Sequence, residues 1–513
     1  MHHLLMITRT NLKTSTLLLS ALVIALIHAP ATAEKSLPRS TPEAQGVSSQ
    51  AILEFTNTLD QRFDGIHSLM IVRDGKVIAE GWWAPYGAEH NHVLFSLSKS
   101  FTSTAVGLAV GEDLLDIDDA VIDFFPEQLP EEVSDNLRSM RVRDILTMST
   151  GHGIEPSPLA VNLSVKNFLH HPVPHQPGTH FQYNSAATFM QSAIVQKLTG
   201  ETILEYLGPR LFEPLGIENP AWVTNAEGIS LGGYGLRVRT EDIAKLGQLY
   251  LQKGQWNGKT LLPAAWVTQA TAKQELNGNN PTSDWNQGYG FQFWRCRHNA
   301  YRGDGAFSQY CIVIPEKNTV IAMTSGVGDM QSVLNVVWDQ LLPALGSEEL
   351  SADADAQQRL KKRLNELSVK YAKGKTTSPI AQQIWNQRFE FPTNEQKISN
   401  VMVSPGDSDE RIVLTLNWEG RELKIPAAYR HWEKGRAAYP RMSLSKLADE
   451  PVAGTFAWPA DDTLAVKFCA YETPYQMTFT LKFDNDQVTL KSQSNVSFGP
   501  TEQKPLKGQA TKQ

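Results

Sequence analysis

The residues best placed to do chemistry lie in Phe95-Ser96-Leu97-Ser98-Lys99-Ser100-Phe101-Thr102. A serine hydroxyl is a weak nucleophile at neutral pH and needs a base to take its proton. A helix beginning here puts Ser96 and Lys99 at i and i+3, on one face and one turn apart. The lysine amine can then serve as base, provided burial and nearby positive potential lower its pKa. The helix N-terminus supplies such potential and turns the serine's own N–H toward a developing oxyanion. The chemistry would be acyl transfer: attack of Ser96 on an ester or amide carbonyl, an acyl-enzyme, and release by water. Ser-x-x-Lys alone is a weak signal, since a serine at a helix start also serves as an N-cap. The same four-letter pattern recurs at Ser443-Leu444-Ser445-Lys446, where a proline precedes, Glu450-Pro451 follows and no long apolar helix begins. Ser443 is therefore expected at the surface or in a linker. Ser96 is instead followed by "SFTSTAVGLAVG", a small-residue apolar stretch suited to the middle of a core.

Two further segments point the same way. Tyr183-Asn184-Ser185 opens another apolar helical stretch, and Arg302-Gly303-Asp304-Gly305-Ala306 lies in a strand-like run; the intervals from the first segment to the second and from the second to the third are about 85 and 120 residues. Three elements in this order are far more specific than any one of them. Together they resemble the serine β-lactamase and penicillin-binding-protein superfamily, in its class C branch and most closely on its esterase and 6-aminohexanoate-dimer hydrolase side. "RVRDILTMSTG" and "LGGYGLRVRTEDIAKLGQLYLQKGQWNGKTLLPAAWV" look similar too, and the resemblance covers roughly residues 40 to 345.

The resemblance implies roles for particular residues. Ser96 is acylated, Lys99 is its base, and Tyr183 relays protons between nucleophile and leaving group. Ser185 bonds substrate or Lys99. The backbone N–H groups of Ser96 and Ala306 form the oxyanion hole, with Gly305 and Asp304 beside the substrate. His152, in "TMSTGHGIE", either lines the cleft or faces solvent. No cofactor is implied. The third element departs from the family's Lys-Thr-Gly or His-x-Gly, because Gly303-Asp304-Gly305 stands in its place. An aspartate there repels a substrate carboxylate unless it pairs with Arg302, which strand alternation puts on the same face. The expected substrate is thus a small neutral or cationic ester, amide or peptide-like molecule. Two alternatives stand beside this: a β-lactamase or DD-peptidase, and a catalytically silent penicillin-binding-like module that recognises a cell-wall or glycan fragment. The presence of Ser96, Lys99 and Tyr183 together argues against silence. Trp82, Trp83, Trp285 and Trp294 are candidates for an aromatic substrate wall or for core.

These residues need a scaffold. "HSLMIVRDGKVIAEGWW" gives two strand-like runs joined by Asp74-Gly75, a hairpin signal. A helical middle follows, and strands return at "GYGFQFWRCR", "AYRGDGAF", "SQYCIVIP" and "TVIAMTSG". Strands at both ends with helices between predict an α/β (α+β) fold, with one antiparallel sheet closed by its termini beside a helical subdomain. With the resemblance, this is a β-lactamase/transpeptidase-like domain over 34–346. A charged stretch over 347–384 reads as a solvent-exposed connecting helix and linker. Short alternating runs over 385–505 read as an all-β sandwich or barrel accessory domain.

Residues 1–33 read as a signal peptide: Arg9 and Lys13, an apolar run from Leu17 to Ile27, then Ala31-Thr32-Ala33. That run is too short to span a bilayer, so a periplasmic or secreted protein with no stable membrane span after processing is expected. The chain has 513 residues and a net charge of −7, with no dense basic block, which argues against nucleic-acid binding. Its three cysteines permit one disulfide at most, and Cys296 and Cys311, on neighbouring strands, are the pair that could meet. No Cys/His cluster has metal-ligand spacing, and His90 and His92 suggest no metal site.

Overall fold

A computed structural model describes residues 36–156, 163–438 and 449–511. The leader, Ser443 and its neighbours lie outside the described residues.

The Asp74-Gly75 turn forms as its sequence dictates. Both residues take positive φ (49° and 75°) and join β1 (Ile66–Arg73) to β2 (Lys76–Trp82), with Arg73 opposite Lys76. β1 is buried along its whole length and sorts its side chains by parity. Met70 and Val72 enter one apolar cluster; Leu69 and Ile71 enter another on the opposite face. The chain then makes β3 (His92–Val93), which pairs with β5 (Leu236–Val238); β5 also pairs with β4 (Ala221–Trp222). A small hairpin, β6 (Gln255–Trp256) and β7 (Lys259–Thr260), precedes the return to the main sheet. There β8 (Trp294–Arg295), β9 (Tyr301–Gly305), β10 (Gln309–Ile314) and β11 (Thr319–Ser325) complete the order β2-β1-β11-β10-β9-β8, antiparallel throughout. The pairing of β1 with β11 closes the sheet with its two sequence ends.

The expected strand over "GYGFQFWRCR" shrinks to Trp294–Arg295. Gly288 at φ 118° and Gln292 at φ 65° break the extended backbone before it can pair. Cys296 and Cys311 do not meet: both are free, buried and on opposite faces of the sheet. The Cys296 sulfur lies 3.1 Å from the Arg302 guanidinium, and Cys311 points at the Ile243 carbonyl.

One face of the sheet carries α1 (Ser49–Arg62). The other carries the helical middle: α2 (Ser98–Gly111), the short α3 (Asp135–Ser139), α4 (Val142–Leu146) and α5 (Val165–His170), and then α6 (Ser185–Thr199). Every residue of α2 from Ser98 to Ala109 is buried, so this helix runs through the core. The charged helix Ala354–Asn365 was expected to be solvent-exposed, yet it docks one face. Ala356 and Leu360 are buried, and Arg363 donates to Asn57 and pairs with Asp60 on α1 at 2.5 Å.

Among the described residues ten further strands follow, from Arg388–Glu390 to Leu506–Ala510. They form two antiparallel meanders joined where Arg388–Glu390 pairs with Leu506–Ala510, and a parallel pairing of Arg421–Tyr429 with Glu450–Ala460 closes the sheet into a barrel. Inward positions such as Leu414, Leu416, Phe468, Phe479 and Leu481 fill it.

The barrel and the part of the chain that precedes it share a buried seam. Arg237 on β5 pairs with Glu450 at 2.8 Å and Glu472 at 3.3 Å, and both Arg237 and Glu450 are buried. The Val93 N–H donates to the Glu472 carbonyl at 2.9 Å. His92 Nε2 lies 3.2 Å from His67 Nδ1, and His67 Nε2 lies 3.4 Å from the Gln476 amide. Burial pushes the His92 pKa down to about 4, so this histidine is neutral and structural at ordinary pH.

Candidate active site

The segment that carries Ser96 is a forced turn. Phe95 takes a left-handed φ of 48°, then a single 3-10 turn, Phe95–Leu97, feeds α2. Leu94 N–H donates to the Leu236 carbonyl, and with the Val93–Glu472 bond the turn is tied to β5 on one side and the barrel on the other. Ser96 is the one residue between His92 and Ala109 that is not buried. The fold thus exposes a single side chain of an otherwise sealed segment.

Lys99 sits beneath it, 1% exposed. Its Nζ lies 3.2 Å from Ser96 Oγ, 3.1 Å from Ser185 Oγ and 2.7 Å from the Gly233 carbonyl. A neutral amine in this position donates to Gly233 and Ser185 and keeps its lone pair for the Ser96 proton. Burial lowers the Lys99 pKa to about 7, against the opposing pull of the Glu155 and Asp304 carboxylates. Gly233 packs tightly here: a Cβ would stand 3.2 Å from the Lys99 Nζ and 3.0 Å from the Ser185 carbonyl oxygen, close enough that its neighbours would have to shift.

Asn184 caps α6, its side chain accepting from Ala187 N–H at 3.1 Å, and Ser185 follows as the first helical residue. The half-buried Tyr183 ring stacks on Trp294 (centroids 5.3 Å apart, 23° between planes), and Lys99 Nζ lies 5.0 Å from its centroid. Burial, with help from Asp304, pushes the Tyr183 hydroxyl well above the ordinary phenol range, while a hydrogen bond to Ser96 opposes that shift. Tyr183 is thus a neutral phenol in contact with Ser96.

β9 passes beside this group, and its glycines let it approach. A Cβ on Gly303 would lie 2.4 Å from Ser100 Oγ, and one on Gly305 would lie 2.0 Å from the Leu94 carbonyl oxygen and 3.1 Å from Leu97 N. The close approach of Gly305 brings the following peptide, Ala306, alongside the turn that carries Ser96. Asp304 is neither free in the cleft nor turned to an outer face. It is 6% exposed and pairs with the fully buried Arg302 at 2.8 Å. Arg302 in turn lies 4.4 Å from the Trp285 ring centroid and donates to the Asp284 carbonyl. Burial raises the Asp304 pKa, and Arg302 opposes it.

The other expectations separate. His152 neither lines the cleft nor faces solvent: it is fully buried, its Nδ1 2.9 Å from Thr150 Oγ1 and its ring edge-on to Phe168. Its surroundings leave it no surface for a ligand, and burial lowers its pKa to about 4. Trp285 and Trp294 do stand at the site, on Arg302 and Tyr183 respectively. Trp83 is buried with α1 on the far face, donating to Asp60 at 2.7 Å, and Trp82 flanks a surface hollow beside Arg39 and Glu80. No group of three or more metal-ligating side chains occurs among the described residues.

Three contributors escaped the sequence reading. Glu155 accepts from Ser185 N–H at 2.7 Å and places a carboxylate near Lys99, Tyr183 and Tyr234. Tyr234 has a buried hydroxyl with no hydrogen-bond partner among the described residues. The Gly232-Gly233 loop supplies the carbonyl that holds Lys99. Of these, only the Gly-Gly-x-Gly spacing of residues 232–235 left a local signal, that of a tight turn.

The Beta-lactamase family profile matches residues 55–334. The chain is 25% identical over 317 residues to a 6-aminohexanoate-dimer hydrolase of Paenarthrobacter ureafaciens, covering 56% of this chain and 80% of that protein. It is 23% identical over 193 residues to a D-aminopeptidase of Brucella anthropi, covering 34% of this chain but only 36% of that one. Among solved structures, a penicillin-binding protein homologue from Caulobacter crescentus aligns with a TM-score of 0.48 at 16% identity, covering 60% of this chain and 98% of that one. Because the profile spans more than half of its length, the chain belongs to the Beta-lactamase family, as a hydrolase of that serine β-lactamase-like lineage.

Proposed function

We propose that this protein hydrolyses a small neutral or cationic ester, amide or peptide-like substrate through an acyl-enzyme on Ser96. The observation that carries the reading is the buried Lys99 amine 3.2 Å from Ser96 Oγ, with its pKa lowered to about 7. Neutral Lys99 takes the Ser96 proton as Oγ bonds to the substrate carbonyl carbon. The carbonyl oxygen gains charge between the N–H groups of Ser96 and Ala306. As the bond to the leaving group breaks, Tyr183 gives that group its proton and regains one from the Lys99 ammonium. Water then repeats the sequence on the acyl-enzyme and releases the acid.

Charge around the site supports the substrate class. Asp304 is matched by Arg302, while Glu155 adds negative potential beside Tyr183, where the leaving group is protonated. A cationic amine is favoured there and a carboxylate disfavoured, which weighs against a β-lactam or DD-peptide. The names of the two relatives, an aminohexanoate-dimer hydrolase and a D-aminopeptidase, agree with an amide or peptide-like substrate. Export through the leader belongs to the same proposal, and N-terminal sequencing of the mature protein should begin at Glu34.

The test is intact-mass analysis after a fluorophosphonate, beside turnover of a panel of chromogenic esters and amides. Wild type should gain one phosphonyl group on Ser96 and hydrolyse members of the panel. Ser96→Ala should do neither while keeping its melting temperature, and Ser443→Ala should do both. Activity surviving in Ser96→Ala would refute the assignment.

A further inference from the structure

The cleft has an aromatic flank to which the hydrolytic steps assign no role, and the barrel builds part of it. Phe95 precedes the nucleophile and Phe307 follows Ala306; both are buried, and their rings meet edge to face at 5.6 Å and 83°. Two barrel residues close on this pair. Tyr475 lies 6.3 Å from Phe95 and 5.9 Å from Phe307; Phe498 lies 5.9 Å and 4.9 Å from them. Phe498 is 61% exposed, whereas Phe95 and Phe307 are buried and Tyr475 is partly so.

The loop that presents Phe498 is held firmly. The Asn495 side chain donates to the Gly326 and Pro474 carbonyls at 2.9 Å each and accepts from Gln476 N–H at 2.8 Å. Val496 is buried against Phe95 and Phe307. Gly326 leads to Val327, whose N–H donates to the Phe307 carbonyl. The exposed ring is therefore positioned by the same peptides that position the end of β9.

The direction of β9 says which part of the substrate reaches it. Asp304 lies toward Tyr183 and Trp294, so the leaving group that Tyr183 protonates occupies that end. With the leaving group there, the direction left for the acyl chain is the other one, past Ala306 and over Phe307. We propose that Phe307, Tyr475 and Phe498 form an acyl-chain subsite for a bulky aromatic or branched apolar group, with Phe498 as its barrel-supplied lip. This rests on Ser96 as the nucleophile and adds a preference that the catalytic residues do not set.

The experiment compares kcat/KM for p-nitrophenyl 4-phenylbutyrate and p-nitrophenyl acetate in wild type, Phe498→Ala and Phe498→Leu, with fluorophosphonate labelling of Ser96 as control. Wild type should favour the phenylbutyrate. Phe498→Ala should lower the phenylbutyrate-to-acetate ratio about tenfold, and Phe498→Leu, which keeps apolar surface, should lower it less. A ratio unchanged in Phe498→Ala, or both esters falling in parallel, overturns the subsite while leaving the labelled nucleophile standing. Wild type that fails to label at Ser96 overturns the nucleophile and the subsite with it.

Discussion

Replacing Glu155 by glutamine removes one negative charge from the cleft yet keeps an oxygen to accept from Ser185 N–H. Glu155 is the leading influence that holds the Lys99 pKa up against burial. Two unit charges ~8 Å apart at an effective dielectric of ~20 interact by about 2 kcal/mol, or about 1.5 pK units. Glu155 is half-buried at the cleft mouth, where water screens it, so a shift of about one unit is the reasonable expectation. The sign is downward, because losing the carboxylate destabilises the ammonium and frees the amine at lower pH. In wild type the acid limb of kcat/KM should have its midpoint near the Lys99 value of about 7 and fall tenfold per pH unit below it. In Glu155→Gln the midpoint should sit near 6. At pH 6 the neutral fraction of the base then rises from about 9% to about 50%, so kcat/KM relative to its own plateau rises about fivefold. The assay is a pH profile of kcat/KM from 5 to 10 on one uncharged ester. An unmoved midpoint, or one displaced upward, would mean that Lys99 is not the titrating base or that Glu155 does not act on it.

Lys99→Ala should lower the acylation rate by about a thousandfold or more, with Ser96 labelling slowed in proportion; near-normal turnover would assign the proton to another group. Asp304→Asn strands the fully buried Arg302 guanidinium and should cost about 3–5 kcal/mol of stability, read as a lowered denaturant midpoint. Gly305→Ala drives a methyl into the Leu94 carbonyl and should lower both melting temperature and kcat, whereas Gly200→Ala, with open space at its Cβ, should lower stability only through its positive φ and spare kcat.

Local spacing made the centre of the site legible in the sequence. Ser96 and Lys99 are one helical turn apart, and Tyr183 and Ser185 sit at the start of a helix whose apolar run is plain. The hairpin at Asp74-Gly75 and the alternation in the barrel strands were readable for the same reason, since each is a short-range pattern. Other features depended on packing between distant segments. Glu155 lies in an irregular loop with no periodicity, and only the fold brings it under Ser185. Asp304 and Arg302 share a face as alternation requires, but whether that face is open or dry depends on Trp285 and Trp294. His152 looked equally suited to cleft or surface because nothing local records that Phe168 covers it. The aromatic flank joins residues 95 and 307 to 475 and 498, a distance along the chain that no motif spans.

The Val93–Glu472 bond and the Arg237 ion pairs also impose an order on the life of the molecule. A chain made from its N-terminus carries Ser96 and Lys99 for hundreds of residues before Glu450 and Glu472 have been joined to it. Through that interval the turn bearing Ser96 lacks one of its two braces, and the seam over His67 and His92 is open to water. Hydrolytic competence should therefore arrive late, with the last strands of the barrel. A ribosome-held chain stopped before residue 450 should react with a fluorophosphonate far more slowly than the finished protein. Such a delay would keep Ser96 quiet until the chain that braces it is complete.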